Sequence, residues 1–156
     1  MSTVNNRPKV KPVEKLISVK ATPKDAFRAF AFETDHWWPI AEHSIDAANT
    51  DRMVLEPWQD GAIYQVQKDG SKIPWGSVTT FDPPNRLVLA WHIGFPAENA
   101  STVEVTFVDD GDGNTDVRLS HSDFEAMSPD DAENLSIGYG QGWVSVFEVH
   151  YREYFD

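Results

Sequence analysis

Two of the five histidines sit where an imidazole could act on a guest molecule. His121 lies in the run 115–122, where apolar and polar residues alternate, and it shares a face with Val117 and Leu119. If that face is buried, His121 is a polar point in an apolar wall, able to orient a ligand or move a proton near neutral pH. The other reading is a histidine hydrogen-bonded to its neighbours, with no chemistry. His150, followed by Tyr151 and Tyr154, carries the same two readings. On an acid/base reading these two histidines are the candidate catalytic residues, with Tyr64 or Tyr151 assisting.

Other chemistries find less to work with. Glu33 and His36 are three apart and Glu42-His43 follows, so residue types that ligate zinc are present. No HExxH pattern exists, however, and Trp37-Trp38-Pro39 separates the two histidines, so no metal site is expected. Residues 110–114 (DGDGN) begin like a calcium loop, but Thr115 stands where glycine is required and His121 where glutamate is required. This stretch reads as a hairpin turn. The absence of cysteine removes disulfides, thiolate nucleophiles, Cys-ligated zinc and iron–sulfur clusters together. There is no G-x-S-x-G elbow, and Gly138, Gly140 and Gly142 have no strand leading into them as a dinucleotide site demands. No cofactor is expected.

Whatever these residues do, one ordinary domain must position them. The chain has 156 residues, 40% hydrophobic and 24% charged, the balance of a soluble globular protein. A domain of this size buries roughly 68–70% of its unfolded surface and needs no staples. No apolar run approaches the roughly 20 residues of a membrane span. Residues 1–12 lack the apolar core of a secretion signal, so a cytoplasmic protein is expected. The net charge of −12 argues against nucleic acid as a partner, since phosphate contacts need clustered Lys and Arg. Residues 1–28 are the exception, with Arg7, Lys9, Lys11, Lys15, Lys20, Lys24 and Arg28 against Glu14 and Asp25. We read residues 1–12 as a flexible basic arm and 13–156 as a single domain.

Residues 13–21 (VEKLISVKA) form a strand. Thr22-Pro23-Lys24-Asp25 then starts a helix: Thr22 can cap the free amides, Pro23 suits the first position and Asp25 completes a capping box. Ala26, Phe27, Ala29, Phe30 and Phe32 supply its apolar stripe, and residues 35–39 stop it. From about Arg52 the period changes to two. MVLEPW, AIYQVQ, WGSVTTF, RLVLAWHI, STVEVTFV and TDVRLSHS are successive strand-like runs, separated by turns such as Lys68-Asp69-Gly70 and Asp82-Pro83-Pro84-Asn85. Short connections imply an antiparallel meander. Ser128-Pro129-Asp130-Asp131 starts a second helix, in which Trp143, Val146, Phe147, His150, Tyr151 and Tyr154 recur at steps of three and four. This predicts a helix of about 25 residues at about 1.5 Å each, with a break or kink at its three glycines. The order strand, helix, six strands, long helix predicts an α+β protein whose sheet curls around the last helix.

Alternation sorts the strand residues by face. Leu87, Leu89, Trp91 and Ile93 share one face; Val88, Ala90 and His92 share the other. Val103, Val105 and Phe107 align in the next strand, and Val117, Leu119 and His121 in the last. With the bulky face inward, Trp91, Phe107 and His121 lie beneath Trp143 and Phe147. Trp75 and Tyr64 join them as candidates, although both faces of their runs are mixed. Six Trp, nine Phe and four Tyr offer large, stiff walls for a flat or apolar ligand; alternatively they fill the core.

Several stretches together resemble a known family. They are the opening strand before Thr22-Pro23-Lys24-Asp25-Ala26-Phe27, the pair Trp38-Pro39, and Gly76-Ser77-Val78 running to Asp82-Pro83-Pro84-Asn85-Arg86-Leu87. To these add Leu89-Ala90-Trp91, the strand Thr102-Val103-Glu104-Val105-Thr106-Phe107, and Gly142-Trp143. The set resembles the activator-of-Hsp90-ATPase-like (AHSA1-like) group of the START/Bet v 1-like superfamily. The resemblance implies a helix-grip fold: a curved antiparallel sheet of about seven strands around a long C-terminal helix, with one or two short helices between strands 1 and 2. It also implies an elongated cavity, which places Trp38, Tyr64, Trp75, Trp91, Phe107, His121, Trp143, Phe147 and Tyr151 as ligand-binding candidates. Members bind apolar or aromatic small molecules, act as cyclases or dehydratases, or stimulate the Hsp90 ATPase. Binding of an apolar or aromatic small molecule without evident catalysis is the reading preferred here. A cyclase or dehydratase with a cavity histidine as general acid/base is the alternative. A chaperone partner is not expected, because co-chaperones of that kind carry an additional N-terminal domain. The sequence leaves a homodimer open.

Overall fold

In a computed structural model that describes residues 10–156, seven strands form one antiparallel sheet. They are β1 (Val13–Val19), β2 (Thr50–Leu55), β3 (Ala62–Gln67), β4 (Lys72–Asp82), β5 (Arg86–Trp91), β6 (Ser101–Asp109) and β7 (Thr115–Ser122). Across the sheet the order is β1-β7-β6-β5-β4-β3-β2. Each strand from β2 to β7 pairs with its neighbour in the chain, as short turns require, and only β1 crosses over to reach β7. The register brings Val103 opposite both Leu89 and His121, and Val105 opposite both Leu87 and Leu119. All six are buried, so the bulky residues of β5, β6 and β7 form one inward face.

Register shifts at Thr50/Arg52, Ile63/Tyr64 and Val78/Thr80 leave Asp51 unpaired in β2 and Trp75 and Thr79 unpaired in β4. Such bulges bend a strand and sharpen its twist, which curls this half of the sheet. Gly76 stands opposite Trp91, and a Cβ there would lie 2.0 Å from the Ala90 carbonyl oxygen. Only glycine allows β4 to approach β5 so closely beside Trp91.

The helices close the concave face. Helix α1 (Pro23–Phe32) starts as the sequence implies, with Thr22 Oγ1 accepting from the Asp25 backbone N–H. Its Phe27 and Phe30 meet Phe107 edge-on, with ring centroids 5.2 and 6.1 Å apart. The short α2 (Thr34–Trp37) is tied back to α1 by Trp37 Nε1–H donating to the Ala29 carbonyl at 2.9 Å. A further short helix, α3 (Phe124–Met127), follows β7.

The closing helix differs from expectation in two ways. Helix α4 (Ala132–Trp143) runs unbroken through Gly138, Gly140 and Gly142. Packing of Ala132, Leu135, Tyr139 and Trp143 onto the core outweighs the weak propensity of these glycines. The irregularity comes later, in Val144–Tyr151, where the helix widens to π geometry. Together the 12-residue and 8-residue segments fall short of the length expected. The wide turns place Phe147 and Tyr151 face to face, 5.7 Å apart and 4° from parallel. The Tyr151 hydroxyl donates to the Ala26 carbonyl at 2.7 Å, joining the first and last helices.

Most of the basic arm, residues 1–9, lies outside the described residues. Residues 10 and 11 touch the body: Val10 N–H donates to Glu125 Oε2 at 2.5 Å, and Ser136 Oγ donates to the Lys11 carbonyl at 3.3 Å. Among the described residues no helix is long and apolar enough to cross a membrane.

Candidate functional site

Four indoles from four separate elements converge under the last helix. Trp38 comes from the turn after α2, Trp75 from β4, Trp91 from the end of β5 and Trp143 from the end of α4. Trp38 is 5.3 Å from Trp75, 5.8 Å from Trp91 and 6.0 Å from Trp143, between ring centroids. Trp91 lies 5.8 Å from Trp143. Trp75 is fully covered at the bottom of the cluster. Above the other three opens a pocket of about 260 Å³, walled also by Ile93, Tyr139 and Val146. An apolar cavity of about 150 Å³ holds a benzene, and drug-sized ligands occupy about 300–1,000 Å³. The space therefore suits a rigid molecule of two or three fused rings.

The lip of the pocket is residues 42–45, and Gln65 holds it in place. This side chain is fully buried on β3. Its Oε1 accepts from the Ile45 backbone N–H at 2.9 Å and from Trp75 Nε1–H at 2.8 Å. Its Nε2 donates to the Ile45 carbonyl at 2.6 Å and to Thr50 Oγ1 at 2.9 Å. Trp38 Nε1–H adds a bond to the His43 carbonyl at 2.8 Å. Replacing Gln65 by leucine strands the Trp75 indole N–H and the Ile45 backbone N–H, while the Ile45 carbonyl keeps its bond from Thr50 Oγ1 at 3.0 Å. We expect Gln65→Leu to cost about 2–4 kcal/mol, since each buried unpaired group costs about 1–3. Urea unfolding measures the loss, and an unchanged midpoint would show that the lip has no need of this anchor.

His121 sits beneath the roof of the pocket with both nitrogens engaged. Trp143 Nε1–H donates to His121 Nδ1 at 3.0 Å. Nδ1 is thus an acceptor, which leaves the proton on Nε2, 2.7 Å from Ser101 Oγ. Ser101 passes the chain on by donating to the Trp91 carbonyl at 2.8 Å. Burial disfavours the charged imidazolium and lowers the pKa of His121 to about 3. This neutral histidine joins the roof helix to the sheet and has no nitrogen left for a guest molecule.

A sequence model for the family described as activator of Hsp90 ATPase homolog 1-like protein matches residues 20–149. The chain belongs to this family. No curated relative matches it. Among solved structures it is similar to CalC, a self-sacrificing resistance protein from Micromonospora echinospora, with 27% identity over 94% of each chain and a TM-score of 0.67. It is also similar to Txn09, an anthrahydroquino-γ-pyrone synthase, with 26% identity, 93% of this chain and 97% of that one covered, and a TM-score of 0.63. An Hsp90 activator from Plasmodium falciparum shares the fold at 19% identity, over 73% of this chain and 74% of that one, with a TM-score of 0.53.

In this AHSA1-like chain only some of the nine ligand-binding candidates meet at the pocket. Trp38, Trp91 and Trp143 line it. Trp75 and His121 lie directly behind these walls. Phe107, Phe147 and Tyr151 belong instead to the nest around α1: Phe107 packs on Phe27 and Phe30, and Tyr151 stands 5.1 Å from Phe30. Burial raises the Tyr151 phenol well above its usual pKa. Tyr64 is on the outer face of β3, opposite in direction to the buried Ile63 and Gln65, with Lys72 Nζ 4.8 Å above its ring. His150 keeps its Nδ1 2.8 Å from the Ser145 carbonyl and does not line the pocket.

Of the zinc-type residues, Glu33 and His36 meet at Tyr154, whose hydroxyl donates to Glu33 Oε1 at 2.6 Å and lies 3.3 Å from His36 Nδ1. The bond to Glu33 is the main cause that pushes the Tyr154 phenol up to about 12. Glu42 and His43 go to the pocket lip. The DGDGN segment forms the β6–β7 turn, with Asp110 Oδ1 accepting from the backbone of Asp112 and Asn114. Sequence reasoning missed Tyr139, His43 and Gln65. Tyr139 was within reach, because it precedes Trp143 by one helical turn. His43 carries only a metal-ligand signal in the sequence, through its pairing with Glu42.

Proposed function

We propose that this protein binds a flat, apolar or aromatic small molecule in the pocket beneath α4, without catalysis. The observation that carries this reading is the opening walled by three indoles from distant parts of the chain, in a core otherwise filled by interlocked rings. Rigid aromatic walls give contact area with little entropy to lose. The two neighbours above 25% identity lend support from outside: one is named as an anthrahydroquino-γ-pyrone synthase and the other for resistance.

Gly142 supplies the test. It faces the pocket from α4, and a Cβ there meets nothing closer than the His43 ring at 3.7 Å. Gly142→Leu removes a weak helix former, worth about 1 kcal/mol to the helix, and sends a side chain into the opening. We expect the parent protein to show saturable quenching of tryptophan fluorescence with neutral tricyclic aromatics, and Gly142→Leu to fold while losing that response. A parent that shows no saturable response, or a filled pocket that binds as well, overturns the proposal.

One observation favours a second reading, a cyclase or dehydratase. The His43 ring lies at the pocket lip, and its nitrogens bond to no other described residue, so it can serve as general acid or base where His121 and His150 cannot. Turnover of a bound anthrahydroquinone probe, lost in His43→Gln while binding persists, separates this reading from simple binding.

A further inference from the structure

Helix α1 carries three residues that its own stability does not explain. Lys24 occupies the first turn, where the helix dipole favours an anion over a cation. Arg28 follows one turn later, and like charges at this spacing repel. Phe32, a further turn on, is 56% exposed, whereas Phe27 and Phe30 are buried. Lys24 makes no ion pair among the described residues, and Arg28 makes one long contact, 3.8 Å from Glu33 Oε2. Steps of four place Lys24, Arg28 and Phe32 on one ridge of the helix. At about 1.5 Å per residue the ridge is about 12 Å long. It lines an open groove of about 400 Å³ with Phe27, and with Pro83 and Pro84 of the β4–β5 turn. No acidic residue lines this groove, and it shares no residue with the pocket beneath α4.

We propose that this groove docks an acidic segment of a partner protein, whose carboxylates meet Lys24 and Arg28 while an adjoining apolar side chain covers Phe32. Local choices that cost stability are kept where function needs them, and here three of them converge on one surface. The charge of the occupant follows from complementarity. The two cations are a positive spot on a protein of net charge −12, so an acidic segment is drawn to this spot and repelled by the acidic remainder. The positive end of the helix dipole, beside Lys24, adds to the preference. The form of the occupant follows from the shape. A small ligand needs a site that covers about 70–90% of its surface. This groove instead lies open, with Lys24, Arg28, Phe32 and Pro83 all exposed along it. An extended chain advances about 3.3 Å per residue, so about four residues span the ridge.

Random peptides displayed on phage and selected on the full chain test the proposal. The selected peptides should carry Asp or Glu within about four residues of Phe, Trp or Leu. They should shift the backbone amide signals of residues 24–32, and their binding should weaken as salt is added. Reversing both charges, Lys24→Glu with Arg28→Glu, should weaken binding about tenfold or more, and so should Phe32→Ser. Lys24→Glu alone should melt about 1–4 °C above the parent, because it removes a cation that the dipole and Arg28 both disfavour. That gain keeps loss of binding apart from loss of fold. Selected peptides without acidic residues, or equal binding to the charge-reversed chain, overturn the proposal. A lower melting temperature for Lys24→Glu also overturns it, since the lysine would then serve the fold. If no peptide is selected the proposal falls as well, and dodecanoate shifting the same amides would assign the groove to a fatty acid.

Discussion

Trp143→Ala should be the most damaging single substitution at the site. The indole is 3% exposed and packs on Trp38 and Trp91. Removing a buried tryptophan of this kind costs about 3–5 kcal/mol. The loss also strips His121 Nδ1 of its only donor, which adds about 1–3 kcal/mol for a buried acceptor left unpaired. Against a total stability of about 5–15 kcal/mol, the sum brings the protein close to unfolding. Thermal unfolding should fall by roughly 10 °C or more, at about 2–4 °C per kcal/mol for a chain of this size. Trp143→Phe separates the two contributions. It keeps most of the volume and removes the N–H, so its cost should be nearer that of the lost hydrogen bond. A Trp143→Ala protein that melts within about 3 °C of the parent would mean that the α4 roof is held by contacts elsewhere.

The same residue shows how far the sequence could be read. Helical spacing put Trp143 on the face toward the sheet, and strand alternation put Trp91 and His121 beneath it; the structure joins all three. Those assignments succeed because period and face are local properties. Placement along the elements is not local. Phe107 faces inward as expected, but it lies toward the end of β6 that packs under α1, so it fills a different nest from Trp91. Tyr64 was misplaced for a related reason. In β3 the neighbours Gln65 and Val66 are both buried, and the inward face carries the polar Gln65, so apolar alternation does not mark which side Tyr64 takes. Gln65 is the clearest omission. A buried glutamine has no periodic signature, and its partners at Ile45, Thr50 and Trp75 come together only after the sheet has curled. The pocket itself is likewise a property of assembly, since Trp38 and the 42–45 lip reach Trp91 across more than 40 residues of chain.

Acid should loosen the roof of the pocket through His121. Burial holds its folded pKa near 3, against 6.5 for the exposed group. Between these values the unfolded chain binds a proton that the folded chain refuses, so stability rises with pH. The contribution is complete above about pH 6.5 and is lost progressively as pH falls towards 3. Its slope is about 1.4 kcal/mol for each pH unit in the middle of that window. Carboxylates and the net charge add their own pH dependence, so the measurement is a difference. Urea unfolding of the parent and of His121→Gln at pH 7, 6, 5 and 4 should show the gap in stability narrowing by about one proton's worth per unit. A constant gap would mean that the imidazole is not held neutral. The consequence reaches the site, because a protonated His121 has donors on both nitrogens and can no longer accept from Trp143. Binding of a neutral tricyclic aromatic should therefore weaken in the folded parent only as pH approaches about 3, where the helix that roofs the pocket loses its tie to the sheet.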